Sequence, residues 1–216
     1  MRRWWQVAIL FGLAALALHA GDDKKKKQAY YLKPDQSTDL ESRKMVTARQ
    51  NCENWALAAG LETLLRKQDV SLDQSFWVMR LNYGEVCVDQ LPSMTHLAEV
   101  VNSEFVLEDG RHVRLELHFV PGAPIDIDGV LAGLKQQQLV LLVWRGHPYY
   151  LTGVTYDEHV GRDGGRIFDV KELRLADTFD KQPDVTFQKG RDNPSEIKGT
   201  LAVSVILVSQ PVVVLR

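Results

Sequence analysis

Apolar residues recur at helical spacing from residue 51 onward. In "RQNCENWALAAGLETLL", Trp55, Leu57, Ala58, Leu61, Leu64 and Leu65 fall on a 3.6-residue period, which predicts a helix opened by Asn51 as N-cap. A second helix is predicted over "DQSFWVMRLNY", begun by Asp73 and ended by Gly84. A third is predicted over "PSMTHLAEVVN", with Pro92 in its first turn, where the missing N–H costs little. After Asn102 the period shortens. "SEFVLEDGRHVRLELHFV" reads as two β-runs across Asp109-Gly110, a hairpin signal. "IDIDGVLAGLKQQQ" returns to helical spacing, and four β-type runs follow: "LVLLVW", "YYLTGVTY", "GRIFDVKELRLAD" and "GTLAVSVILV". Helices first and a mostly antiparallel sheet afterwards predict an α+β domain.

The start of the chain has a different pattern. "MRRWW" is followed by the uncharged apolar run "QVAILFGLAALALHA", ending on a small residue at Ala20. A charged head, an apolar middle and a small boundary residue describe a secretory signal peptide over 1–20, and hence export to the periplasm or medium. The apolar run from Trp4 to Ala20 is also at the short end, about 17 residues, of what spans a bilayer, so an uncleaved N-terminal membrane anchor is the alternative. Residues 21–44 are polar and lysine-rich without apolar periodicity, and read as a linker or propeptide-like arm. The folded domain is expected over 45–216.

The composition excludes several function classes. The 216 residues are 45% apolar and 25% charged, a globular balance. A net charge of -2 gives no electrostatic footprint for nucleic acid, so no nucleic-acid partner is expected. No His/Cys cluster has zinc-ligand spacing and no glycine-rich phosphate loop is present, so neither a metal nor another cofactor is expected. Asp126 and Asp128 in "PIDIDGVL" fit the N-cap and first turn of a helix better than a cation site. "DEHVGRDGGR" lacks the ordered spacing of a calcium loop and reads as a hairpin turn.

The candidate chemistry lies in two cysteines and one histidine. A helix N-terminus favours thiolate over thiol, and Cys52 directly follows the expected N-cap, so it is placed as a nucleophile. Such a thiolate needs an imidazole partner. Of six histidines, His147 stands in "VLLVWRGHPYYLTGV", between one buried-looking strand and the next, where scaffolds present catalytic groups. His19 falls in the signal peptide, and His96, His112, His118 and His159 read as surface or satisfied half-buried residues. The competing assignment is a single Cys52–Cys87 disulfide, the simplest use of two cysteines in an exported chain.

A helix-opening Cys, then a strand with Trp-x-Gly-His, then an acid on a β-hairpin resembles the papain-like cysteine peptidases. The nearest resemblance is to the bacterial branch of bacteriocin-processing peptidases and secreted effector proteases. The residues that carry it are "NCENWALAAGLE", "WRGHPYYLTGV" and "LRLADTF", spanning residues 45–180. The resemblance implies a helical lobe bearing the Cys helix packed against an antiparallel sheet lobe. It implies Cys52 as nucleophile, His147 as general base and then acid, and Asp177 as orienter of the imidazole. Its implied reaction is acyl transfer from a peptide or isopeptide bond of a peptide or protein substrate. Gln50 is the candidate oxyanion donor, and Trp55, Trp144 and Tyr149 are candidate cleft-lining residues. The chain departs from the family at four points. Val46 stands six residues before Cys52, where the family keeps its oxyanion glutamine, and Thr178 rather than proline follows the acid. Pro148 follows His147, and Trp55 lies three places after the cysteine instead of adjacent to it. The alternative function on the same resemblance is a catalytically silent secreted binding or structural module stapled by Cys52–Cys87.

Overall fold

A computed structural model describes residues 31–40, 50–82, 84, 87, 91–124, 127–178 and 184–209. The expected signal peptide over 1–20 lies outside the described residues. Among those described, the elements run β1 Tyr31–Asp39, α1 Ala56–Arg66, α2 Gln74–Asn82, α3 Met94–Val101, β2 Glu104–Val106 and β3 His112–Pro121. They continue with α4 Asp128–Lys135, β4 Leu141–Trp144, β5 His147–Val160, β6 Arg166–Asp177, β7 Val185–Gln188 and β8 Ile197–Ser209. This is an α+β fold: four helices and one antiparallel sheet in the order β2-β3-β8-β4-β5-β6-β7, with β1 pairing β5.

The helix α1 is rich in Ala and Leu, strong helix formers, and residues 56–65 are all buried, so it is enclosed rather than half-exposed. It packs on β5 and β8, and two contacts fix it there. Gly60 lets the β4 residue Leu141 approach closely, and the Tyr150 hydroxyl on β5 bonds to Thr63 (2.8 Å) and the Ala59 carbonyl (3.2 Å). Leu141 and Tyr150 are directly opposite in the β4–β5 ladder and therefore share the sheet face that α1 covers. Glu62 is a buried carboxylate, satisfied by Arg66 (2.5 Å) and by the amide of Gln74 on α2 (2.8 Å). The other end of the Gln74 amide accepts the backbone N–H of Asn51 (3.0 Å), so one buried side chain ties α1, α2 and the segment before α1 together.

Several expectations need correction. The helix opens at Ala56 with Trp55 as N-cap, not at Asn51, whose N–H is instead held by Gln74. Pro92 stands before α3, whose cap is Ser93, accepting from the His96 N–H. Asp128 stands in the first turn of α4, as expected, and pairs with Arg166 (2.5 Å), while the N-cap is Ile127 and Asp126 lies outside the described residues. Residues 31–39, within the arm read as lying outside the core, form strand β1. Seven of its pairings run along β5 from Gly153 to Val160, filling the edge beyond the end of β4. Helical and strand patterns miss β1 because its side chains are mostly exposed and polar; backbone pairing and ion pairs hold it, not an apolar face. The short β7 was also not expected.

The sheet coils strongly. Strands three places apart in a flat sheet stand about 14 Å apart, yet the rings of Trp144 on β4 and Phe187 on β7 have centroids 5.8 Å apart. The coiling brings the β4–β5 turn and the ends of β6 and β8 together at one end of the sheet.

Candidate functional site

That end is where the expected site residues lie. Trp144 and His147 face each other across the β4–β5 hairpin, joined by Arg145 and Gly146, both with positive φ (53° and 80°). Two successive left-handed residues make the tight turn whose twist matches the strands, and glycine takes the second place without steric cost. This turn presents His147 as the first residue of β5. Tyr149 is opposite Asp177, the last residue of β6, so His147, Tyr149 and Asp177 lie on one face.

A His147 ring nitrogen and the Asp177 carboxylate are 3.2 Å apart, with the carboxylate nearly buried (9% exposed) and the imidazole partly open (30%). A carboxylate in this position fixes the ring's orientation and tautomer. Tyr149 stacks at 4.6 Å from the imidazole, and burial, then the Asp177 charge, push its phenol pKa upward, keeping it neutral. Trp144 is buried beneath Tyr149, with the Arg145 guanidinium 4.5 Å over its ring. Arg145 is held by Glu196 (2.7 Å). Its charge is thus compensated at the rim of the site. The indole N–H of Trp144 is buried with no hydrogen-bond partner among the described residues.

The cysteine segment reaches the same place through a side-chain tie. Buried Gln50 accepts a hydrogen bond from the buried Thr178 hydroxyl (3.2 Å) and donates to the Cys52 carbonyl (2.6 Å). Thr178 immediately follows Asp177, so the Cys52 backbone is two hydrogen bonds from the residue next to the histidine's partner. One amide hydrogen of Gln50 is therefore engaged by the chain itself rather than offered to an oxyanion.

Cys52 is not a free thiol. It is bonded to the exposed Cys87, with Cα atoms 6.1 Å apart, and the chain's two cysteines are both consumed in that bond. Its sulfur also accepts the Asn54 N–H (3.4 Å). Cys52 stands four residues before the first residue of α1, too far for the unpaired N–H groups of the first turn to act on it. Trp55 is buried on the helical side, lining a cavity of about 20 Å³ with Asn54, Leu57, Val78, Leu81 and Pro92.

The structure therefore brings His147, Asp177, Tyr149, Trp144 and Gln50 to one end of the sheet and pairs Cys52 with Cys87. Sequence reasoning did not assign a role to Thr178 or Asn54. Thr178 was noted only for replacing a proline, and Asn54 was visible only as the residue before Trp55. Among the described residues no three His, Cys, Asp or Glu side chains gather as metal ligands, and no helix is long and apolar enough to cross a membrane. Comparison with protein-family models, with curated proteins and with solved structures gives no match.

Proposed function

We propose that the chain is an exported, catalytically silent module of papain-like fold that binds an extended peptide or protein segment at the His147 end of its sheet. The observation that carries this reading is the Cys52–Cys87 disulfide, which leaves no thiol for acyl transfer. Papain-like peptidases place the nucleophile directly before the tryptophan at the mouth of the helix. In this chain Trp55 is the N-cap of α1, and the residue before it is Asn54. A side-chain amide at that place can hydrogen-bond a peptide but cannot form a thioester. The partner surface is then the face bearing His147 and Tyr149, with Trp144 beneath them. Export accords with a disulfide, which persists in oxidising compartments.

A second reading is a thiol hydrolase that works only after reduction of the bond. The His147–Asp177 hydrogen bond and the Gln50–Thr178 tie beside Cys52 favour it. Turnover of a fluorogenic peptide library by three forms of the protein separates the two. The silent-module reading expects no hydrolysis by the oxidised or the reduced native chain. It expects measurable hydrolysis after Asn54→Cys, abolished by a further His147→Ala. Hydrolysis by the reduced native chain that is lost in Cys52→Ser would overturn it.

A further inference from the structure

Among the described strands, β1 is held to the sheet with little apolar burial. Of its nine residues only Thr38 is buried, and its two large apolar side chains, Tyr31 and Leu32, are exposed. Besides the backbone ladder, what crosses from its side chains to the sheet is mostly charge. Lys33 pairs with Glu158 (3.0 Å), Asp35 with Lys171 (2.8 Å) and Asp39 with Arg174 (2.6 Å). Lys171 is shared with Asp157 (2.7 Å), which also accepts the Asp35 N–H, and Arg174 reaches the Ser37 hydroxyl as well. The Asp39–Arg174 pair lies against Gly153, where an added Cβ would collide with both the carboxylate and the guanidinium. By contrast, β4 is buried at every position, and β5 carries alternating core residues. The β1 ladder is also broken at its middle, between Lys33 and Gln36.

We propose that β1 is an electrostatic strap, a strand that leaves β5 as a unit when its ion pairs are screened or removed while the remaining sheet stays folded. Its nine residues lack the apolar burial of strands such as β4, and the strap ends at Leu40, a buried core residue whose N–H bonds the Thr152 carbonyl (2.9 Å). Ion pairs at the surface weaken with salt, because the Debye length falls from about 30 Å at 0.01 M to about 3 Å at 1 M. Each of three such attachments contributes roughly two- to fivefold to the closed state, so screening them together opens the strap by about tenfold to a hundredfold. Release uncovers the β5 edge from Gly153 to Val160.

Hydrogen exchange of the full oxidised chain, resolved by peptide mass spectrometry, tests this. Exchange over residues 31–39 is expected to be at least about tenfold faster in 1 M than in 0.01 M sodium chloride, with β4 and the second half of β6 changing less than about twofold. Asp39→Asn is expected to raise β1 exchange at low salt and reduce its salt response. Gly153→Ala is expected to do the same by displacing the pair without removing a charge. Asp35→Asn, at a mostly exposed position, keeps the test open if either of those fails to fold. Exchange over 31–39 that ignores salt and these substitutions, or that rises only together with β4 and β6, would overturn the strap.

Discussion

Replacing both cysteines, Cys52→Ser with Cys87→Ser, removes the one covalent cross-link without leaving a lone thiol. The bond closes a loop of sequence separation 35. In the chain-entropy account, a loop of that length restricts the unfolded ensemble by about 13 cal/mol/K, or about 4 kcal/mol at 25 °C. Little offsets this in the native state, since Cys87 is exposed and Cys52 is only partly buried against the core. For a domain of this size the midpoint temperature is expected to fall by about 8–15 °C. Urea unfolding followed by tryptophan fluorescence reads the change. The double variant should unfold at lower urea with a slope at least as steep, because the uncross-linked unfolded chain is more expanded. Spectra of the folded state should be unchanged. A loss below about 1 kcal/mol would refute the staple, since it would mean that residues 52–87 are equally restricted in the unfolded chain without the bond.

The buried Tyr150 hydroxyl offers a pH-resolved check: burial raises its pKa well above the ordinary phenol value, so the native state keeps its proton where the unfolded chain releases it. Above about pH 10 the native state binds more protons and stability falls with pH, and Tyr150→Phe, which costs about 1 kcal/mol at neutral pH, should flatten that alkaline decline in a thermal-shift series. Two helix glycines should respond in opposite directions under urea. Gly60→Val drives a side chain into the fully buried Leu141 and should lose about 2–3 kcal/mol, whereas Gly133→Ala meets only ordinary contact with Gln138 and should gain about 0.5–1 kcal/mol.

The parts of the fold that bury an apolar face were legible in the chain. The period of Leu57, Leu61, Leu64 and Leu65 and the run Leu141–Trp144 each predicted the element that the structure contains. The helix start was misplaced because Asn51 is a good cap by type, while the group that holds it, Gln74, is remote in sequence. Strand β1 was illegible for the reason that makes it unusual: its partners, Glu158, Lys171 and Arg174, are charges more than 120 residues away. At the site, His147 was marked by its place between two β-type runs. The fate of Cys52 was not readable from its neighbours. A thiol before a helix and a half-cystine before a helix look alike until the helix start is fixed, and Trp55 as N-cap moves that start beyond the cysteine. Gln50 was singled out as a donor, and what its amide holds became visible only when Thr178 was brought against it.

The central claim is that Cys52 is a half-cystine and not a nucleophile poised by His147. Iodoacetamide labelling of the native chain, before and after gentle reduction and read by mass spectrometry across pH, tests it most directly. The account predicts no labelling of Cys52 before reduction. After reduction it predicts labelling whose rate at every pH is indifferent to His147→Ala. Rapid labelling of Cys52 at mildly acidic pH, abolished by His147→Ala, would contradict it.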